Sequence, residues 1–162
     1  MSSSSGEDVR LFLEPAVKIT TFDNLGGATV GVSAGSIQGG KLLFGVGFHT
    51  LAFGSRARRN LTYGGVLVGW VFGQDTPVVV TARTLVGYGR VVEKNPAAAF
   101  DFADGVSSIV AEPEVLVAIR NPQKDRIRYA FGAGYRLGNR ANGFEPSATG
   151  FTVTTSIQFM FK

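Results

Sequence analysis

The C-terminal stretch alternates between apolar and polar side chains, and this alternation constrains the fold more than any other feature. Residues 150–162 read GFTVTTSIQFMFK, so that Phe151, Val153 and Ile157 have one parity while Thr152 and Thr154 have the other. Successive side chains of a β-strand point to opposite faces. The stretch therefore predicts a strand with one apolar face and one mostly polar face.

The same alternation occurs in seven earlier segments, and together these segments predict eight strands. The earlier strands are predicted near residues 9–20, 28–38, 41–53, 61–72, 78–91, 108–120 and 127–137. Turn-forming residues separate them at 23–27, 39–40, 73–77 and 121–125, and longer connections fall near 93–107 and 138–149. The predicted strands are long for a globular protein and suit a tilted membrane strand.

Length and composition limit the possible classes of protein. The 162 residues suit one domain, predicted at 9–162, behind a flexible leader at 1–8 that reads MSSSSGED and lacks the features of a secretory signal. There is no run of eighteen apolar residues, which excludes a spanning helix. The net charge of +4 raises the question of nucleic acid, but we find no motif or basic helix face and predict no such partner.

The small residues indicate which face points inward. Glycines share the polar face of most strands, as at Gly31, Gly47, Gly65, Gly87 and Gly134. An eight-stranded barrel has an interior just wide enough for side chains to fill it, and the bulky apolar face would overfill that space. A barrel in lipid requires an apolar outer face, which agrees with this orientation. The alternative is a soluble lipocalin-like barrel. The predicted fold is all-β, an eight-stranded antiparallel up-and-down transmembrane β-barrel.

Aromatic residues of the apolar face cluster near the two ends of the predicted strands. Bacterial barrels have even strand numbers, short turns at one end, longer loops at the other and aromatic girdles at both interfaces. The predicted interface aromatics are Trp70, Phe72, Tyr129, Phe159 and Phe161 at one rim, with Tyr88, Tyr135 and Phe151 near the other.

Four segments carry a resemblance to a known group of proteins. LFLEPAVKITTF, LTYGGVLVGWVF, VAEPEVLVAI and YAFGAGYRLG resemble poorly characterised outer-membrane β-barrel proteins of Gram-negative bacteria, and the architecture is similar to small outer-membrane protein A and X barrels. The resemblance implies a porin-like monomer in the bacterial outer membrane, assembled by the barrel-assembly machinery through its C-terminal strand. Lys162 departs from the pattern, in which an aromatic residue comes last. The group carries no established activity.

Charged residues of both signs occur on the predicted inner face. Glu14 and Glu112 each precede a proline, and Pro15 and Pro113 are expected to cost a ladder hydrogen bond or to mark a bulge. Because buried charges must be paired, we predict a salt-bridged plug in the lumen. Its predicted members are Arg10, Glu14, Lys18, Arg83, Glu112, Glu114, Arg120, Arg128 and Arg136.

The sequence offers few parts for catalysis. His49 is the single histidine and there is no cysteine, so a Ser-His-Asp triad, a two-histidine site and a Cys-ligated metal lack components. We predict no catalytic residues, no metal and no cofactor, and we interpret His49 as a hydrogen-bonded structural residue.

The basic segment between the third and fourth strands is a candidate contact for lipopolysaccharide. Arg56, Arg58 and Arg59 would lie outside the cell, near the phosphates of lipopolysaccharide, although a solvated loop is an equal alternative. The predicted function is that of a non-enzymatic structural or adhesive outer-membrane barrel with a largely plugged lumen. The alternatives are a narrow channel for ions or small molecules, a lipid-modifying barrel enzyme, a soluble binder and a designed barrel.

Overall fold

The chain folds into a closed barrel of eight antiparallel strands, as the alternation predicts. The computed structural model describes residues 9–22, 25–54, 59–93, 106–121, 123, 126–140 and 149–162. Each strand pairs with its neighbours in the chain, and β1 also pairs with β8 to close the sheet. The strands are β1 (Arg10–Phe22), β2 (Leu25–Gln38), β3 (Leu42–Gly54), β4 (Arg59–Phe72), β5 (Val78–Glu93), β6 (Val106–Arg120), β7 (Ile127–Arg140) and β8 (Gly150–Phe161).

Both faces of the sheet follow the sequence parity. On β1, Leu11 and Val17 are exposed while Glu14 and Lys18 are buried, and β8 alternates in the same way. The outward apolar side chains form a belt that would aggregate in water. Closure pairs the strands without a free edge, as β structure in lipid requires. The predicted fold class is therefore confirmed. Among the described residues there is no helix long and apolar enough to cross a membrane.

At one end of the barrel the strands are joined by the short connections 39–41, 73–77 and 121–126. We call these connections, with the strand residues that adjoin them, the short-turn end. Gly39 and Gly40 both have positive φ, and the Lys41 amide donates to the Gln38 carbonyl at 3.1 Å. Two successive residues of positive φ are the geometry of a type I′ hairpin, which glycine adopts without steric cost. The other end, which we call the long-loop end, carries the connections 23–24, 55–58, 94–105 and 141–149.

The predicted turn at 23–27 is wrong in its extent. Leu25, Gly26 and Gly27 already belong to β2 and pair with the last residues of β1. Neither glycine has the positive φ of a turn, since the ladder hydrogen bonds continue through them. Strands β5, β6 and β7 likewise extend further toward the long-loop end than the alternation predicts.

A cluster of buried apolar side chains lies in the lumen between the short-turn end and the middle of the barrel. Phe12 of β1 lies opposite Met160 of β8, and Ala118 of β6 lies between Val79 of β5 and Ala130 of β7. All of these side chains are buried, as are Ile37, Leu43 and Val71 in the same cluster. We call this cluster the apolar layer.

Candidate functional site

Above the apolar layer, three buried carboxylates lie in the middle of the lumen. Glu14 is carried by β1, and Glu112 and Glu114 by β6, with exposed fractions of 0, 1 and 5%. Their parity sends all three inward. Three carboxylates in a dry interior require cations and hydrogen-bond donors, since a buried charge is costly unless it is paired.

Arg83 joins two of these carboxylates across the barrel. Its Nη1 and Nη2 donate to the two oxygens of Glu14 at 2.9 and 2.7 Å, and its Nε donates to Glu114 Oε2 at 2.9 Å. The Glu14 contact is the bidentate arrangement in which arginine binds carboxylate most strongly. Because β1 and β5 are four strands apart in an eight-stranded barrel, this contact spans the lumen.

Lys18 makes a second connection across the interior, from β1 to β6. Its Nζ contacts Glu112 directly and lies 3.5 Å from Glu114 Oε1. The Thr154 hydroxyl of β8 donates to that same Glu114 oxygen. Glu114, which is on β6, is thus contacted by side chains of β1, β5 and β8. Its carboxylate therefore connects four strands.

Tyr63 of β4 completes the surroundings of Glu112. Its hydroxyl donates to Glu112 Oε2 at 2.9 Å, and Arg136 Nη1 lies 4.0 Å from the same oxygen. The Arg136 guanidinium also lies over the Tyr63 ring, 5.3 Å from its centroid, and donates to the Thr20 hydroxyl at 3.0 Å. The tyrosine therefore contacts both charges of an ion pair, through its hydroxyl and its ring.

His49 of β3 packs against an aromatic neighbour in the lumen. Its ring stacks on Tyr63 with centroids 5.2 Å apart, and its Nδ1 has no hydrogen-bond partner among the described residues. Gly31 faces it from β2, and a Cβ at Gly31 would collide with the imidazole. His49 is held by packing in a space that glycine leaves.

Glycines also leave the space in which the charged side chains meet. In the sheet register Arg83 lies between Gly69 of β4 and Glu114 of β6, and Glu114 lies between Arg83 and Gly134 of β7. A Cβ on Gly69 would stand 2.7 Å from the Cβ of Arg83, and one on Gly134 3.1 Å from that of Glu114. The small-residue face therefore accommodates the ion pairs directly.

Both Glu-Pro dipeptides interrupt one ladder of the barrel. The pairing of β1 with β8 omits Glu14 and Pro15, and that of β6 with β7 omits Glu112 and Pro113, because proline lacks an N–H. The Gln158 amide of β8 donates to Glu14 Oε2 at 2.8 Å beside the first gap. A side-chain contact thus connects the two strands where the backbone contact is missing.

The structure brings six of the nine predicted lumen residues into one assembly, which we call the lumen network: Glu14, Lys18, Arg83, Glu112, Glu114 and Arg136. Arg10, Arg120 and Arg128 lie instead at the short-turn end. Tyr63, Thr154 and Gln158 also have the parity of the inner face, and the structure adds them as donors to these carboxylates. Their parity was the available signal, since a polar side chain on the inner face has carboxylates as its neighbours.

The remaining predicted residues lie at the two ends of the barrel. Trp70, Phe72, Tyr129 and Phe161 are exposed and Phe159 half-buried toward the short-turn end, while Tyr88, Tyr135 and Phe151 are exposed toward the long-loop end. Arg56 and Arg58 lie outside the described residues, and so does the side chain of Arg59, whose backbone begins β4. The leader at 1–8 is outside them as well. Within the described part of the chain, no group of His, Cys, Asp or Glu side chains could hold a metal ion.

Comparisons with known proteins identify the fold. No protein-family model matches the chain, and no curated protein matches it in sequence. Among solved structures it is similar to Neisserial surface protein A, with a TM-score of 0.68 and 13% identity over 94% of this chain and 97% of the other. The N-terminal β-barrel domain of OprF from Pseudomonas aeruginosa gives a TM-score of 0.61 with 11% identity, again over 94% and 97% of the two chains.

A third similar structure is the outer-membrane protein OprG from Pseudomonas aeruginosa, with a TM-score of 0.59 and 7% identity over 94% of this chain and 95% of the other. At such identities the likeness establishes the fold alone. The chain has the fold of the small eight-stranded outer-membrane β-barrels of Gram-negative bacteria.

Proposed function

We propose that this protein is an integral outer-membrane barrel with a structural or adhesive role, whose lumen is closed by its own side chains and does not serve as an open channel. The observation that carries the proposal is the contact of Arg83 with Glu14, which joins opposite walls of the barrel. The apolar belt and the fold shared with outer-membrane proteins support the location.

Charge balance supports closure. The lumen network contains three carboxylates, from Glu14, Glu112 and Glu114, and three cations, from Lys18, Arg83 and Arg136. Each carboxylate contacts at least one of the cations. An ion that entered would have to displace such contacts and then pass the apolar layer, where it would find no ligand in Phe12 or Met160.

Single-channel recording tests the proposal. Folded monomer reconstituted in a planar lipid bilayer is expected to show no steady conductance, and Arg90→Ala, which removes an exposed arginine near the long-loop end, should behave identically. Steady nanosiemens-scale conductance from folded wild-type monomer would sink the closed-lumen proposal and favour the channel alternative.

Two predicted partners stay predictions. Lipopolysaccharide is the candidate partner of Arg56, Arg58 and Arg59, and the barrel-assembly machinery is the candidate partner of β8. Neisserial surface protein A is named for the surface, and the attachment invasion locus protein of Yersinia pestis, a further similar structure with a TM-score of 0.50 and 13% identity over 94% of this chain and 97% of the other, is named for attachment and invasion. Those names motivate the adhesive role for this chain and add nothing on its ligand.

A further inference from the structure

The short-turn end of the barrel carries an excess of positive charge. Its described cationic residues are Arg10, Lys41, Arg120, Arg126, Arg128 and Lys162. Asp75 is the one acidic side chain that the described residues place there. This end therefore differs from the lumen network, where the signs balance.

Two of these arginines lie side by side. Arg120 of β6 is directly opposite Arg128 of β7 in the sheet register, and Arg128 is only 1% exposed. Like charges directly opposite each other on neighbouring strands are destabilising. Both residues contribute to the positive charge of this end.

A cavity of about 580 Å³ lies at the same end. It is formed by the two glycine turns, 39–41 and 73–76, with Arg10 and Val71 on the inner side. Trp70 and Phe72 line it as well, and both are exposed on the outer face. The cavity therefore extends from the mouth of the barrel to the apolar belt.

The charged side chains that line the cavity are the cations Arg10 and Lys41 and one carboxylate, Asp75, so the lining has a net positive charge that suits a phosphate. Lys41 is exposed and forms no ion pair with any described residue. The Gln74 side-chain amide is occluded from solvent, yet neither its nitrogen nor its oxygen has a hydrogen-bond partner within the described part of the chain. Thr76, by contrast, already donates to the Gly73 carbonyl at 2.8 Å. An anionic oxygen accepts hydrogen bonds from groups such as a lysine ammonium and an amide N–H that has no other acceptor.

We propose that this cavity binds the headgroup of an anionic phospholipid from the leaflet at the short-turn end. The phosphate lies against Lys41 and Gln74, and the glycerol and upper acyl chains pack on Trp70 and Phe72. The aromatic side chains favour a lipid over free phosphate, because they belong to the apolar belt and offer nothing to a soluble anion. The site is independent of lumen closure, since it lies outside the lumen network.

Native mass spectrometry of the folded, delipidated protein tests this site. The protein in detergent is mixed with phosphatidylglycerol or phosphatidylethanolamine, and the bound fraction is compared. Wild type is expected to retain phosphatidylglycerol preferentially. Lys41→Gln should lower that binding about fivefold, which corresponds to roughly 1 kcal/mol for one cation at an anionic surface. Gln74→Leu should lower it as well, through the lost amide donor.

Arg90→Gln is the matched control, because it removes the same charge from an exposed position near the opposite end. Heat-modifiable gel migration verifies that each variant is folded. Equal losses in Lys41→Gln and Arg90→Gln, or no preference for phosphatidylglycerol in wild type, would overturn the site. Inorganic phosphate is the last arm: its binding without a lipid preference would contradict the lipid assignment.

Discussion

The middle of the lumen and the short-turn end use charge in opposite ways. In the lumen network, each carboxylate has a cation on another strand, and the side chains are almost fully buried. At the short-turn end cations outnumber the one described acid, and Lys41 faces solvent. Buried charges must be balanced inside the molecule, whereas exposed ones are screened and remain available to a ligand. This difference is the reason that we expect the lumen network to contribute to stability and propose ligand binding at the short-turn end.

Removal of Arg83 should have the largest effect. Arg83→Ala leaves Glu14 and Glu114 without their shared guanidinium, and breaking a buried ion pair in this way costs about 3–5 kcal/mol. The free energy of unfolding can be measured by urea denaturation in lipid vesicles, followed by the fluorescence of Trp70, the single tryptophan.

Arg83→Ala/Glu14→Ala should cost less than Arg83→Ala alone. The double variant removes one stranded carboxylate, and Glu114 keeps its contacts with Lys18 and Thr154. Arg90→Ala serves as the surface control. A loss in Arg83→Ala no greater than in the control would show that the lumen network does not stabilise the barrel.

Loss of the Tyr63 hydroxyl should have an intermediate effect. Tyr63→Phe keeps the ring stacked on His49 but removes the hydrogen bond to Glu112. A hydrogen bond to a charged group contributes about 1.5–3 kcal/mol, so the same urea measurement should show a loss in that range. Tyr88→Phe, at an exposed position of the outer face, is the matched change and should be nearly silent.

Substitution of Lys41 should have the smallest effect on folding. Lys41→Gln alters an exposed side chain with no described ion pair, and such changes stay within about 0.5 kcal/mol. Raising the salt concentration should weaken phosphatidylglycerol binding by wild type, since the Debye length falls from about 10 Å at 0.1 M to 3 Å at 1 M. A large loss of stability in Lys41→Gln would remove the distinction between the two regions.

Much of the fold could be predicted because the alternation of apolar and polar residues along a strand reflects the surroundings of each face of the sheet. Leu13 and Glu14 are adjacent in sequence and have opposite surroundings, one facing lipid and the other the lumen. Turns followed from glycine at Gly39 and Gly40, where positive φ is required. The extent of β2 was less predictable, since Gly26 and Gly27 suit either a turn or a strand and the ladder decides between them.

The membership of the lumen network could be predicted only in part. Parity identifies the charges that point inward, so Glu112 and Arg136 were accessible from sequence. Parity does not give the position of a residue along the barrel axis. That position separates Arg10, Arg120 and Arg128 from the other predicted charges. Tyr63 was on the inner face but had no visible partner, because its carboxylate comes from a strand two positions away.

By itself the sequence determined the number of strands and the two faces of each strand. Each of these depends on local alternation and on turn residues, which are properties of neighbouring positions. Only the tertiary structure decided that Arg83 meets Glu14, 69 residues away, and that Lys18 meets Glu112, 94 residues away. Such pairs form across the lumen, where their geometry depends on closure and on the stagger of all eight strands.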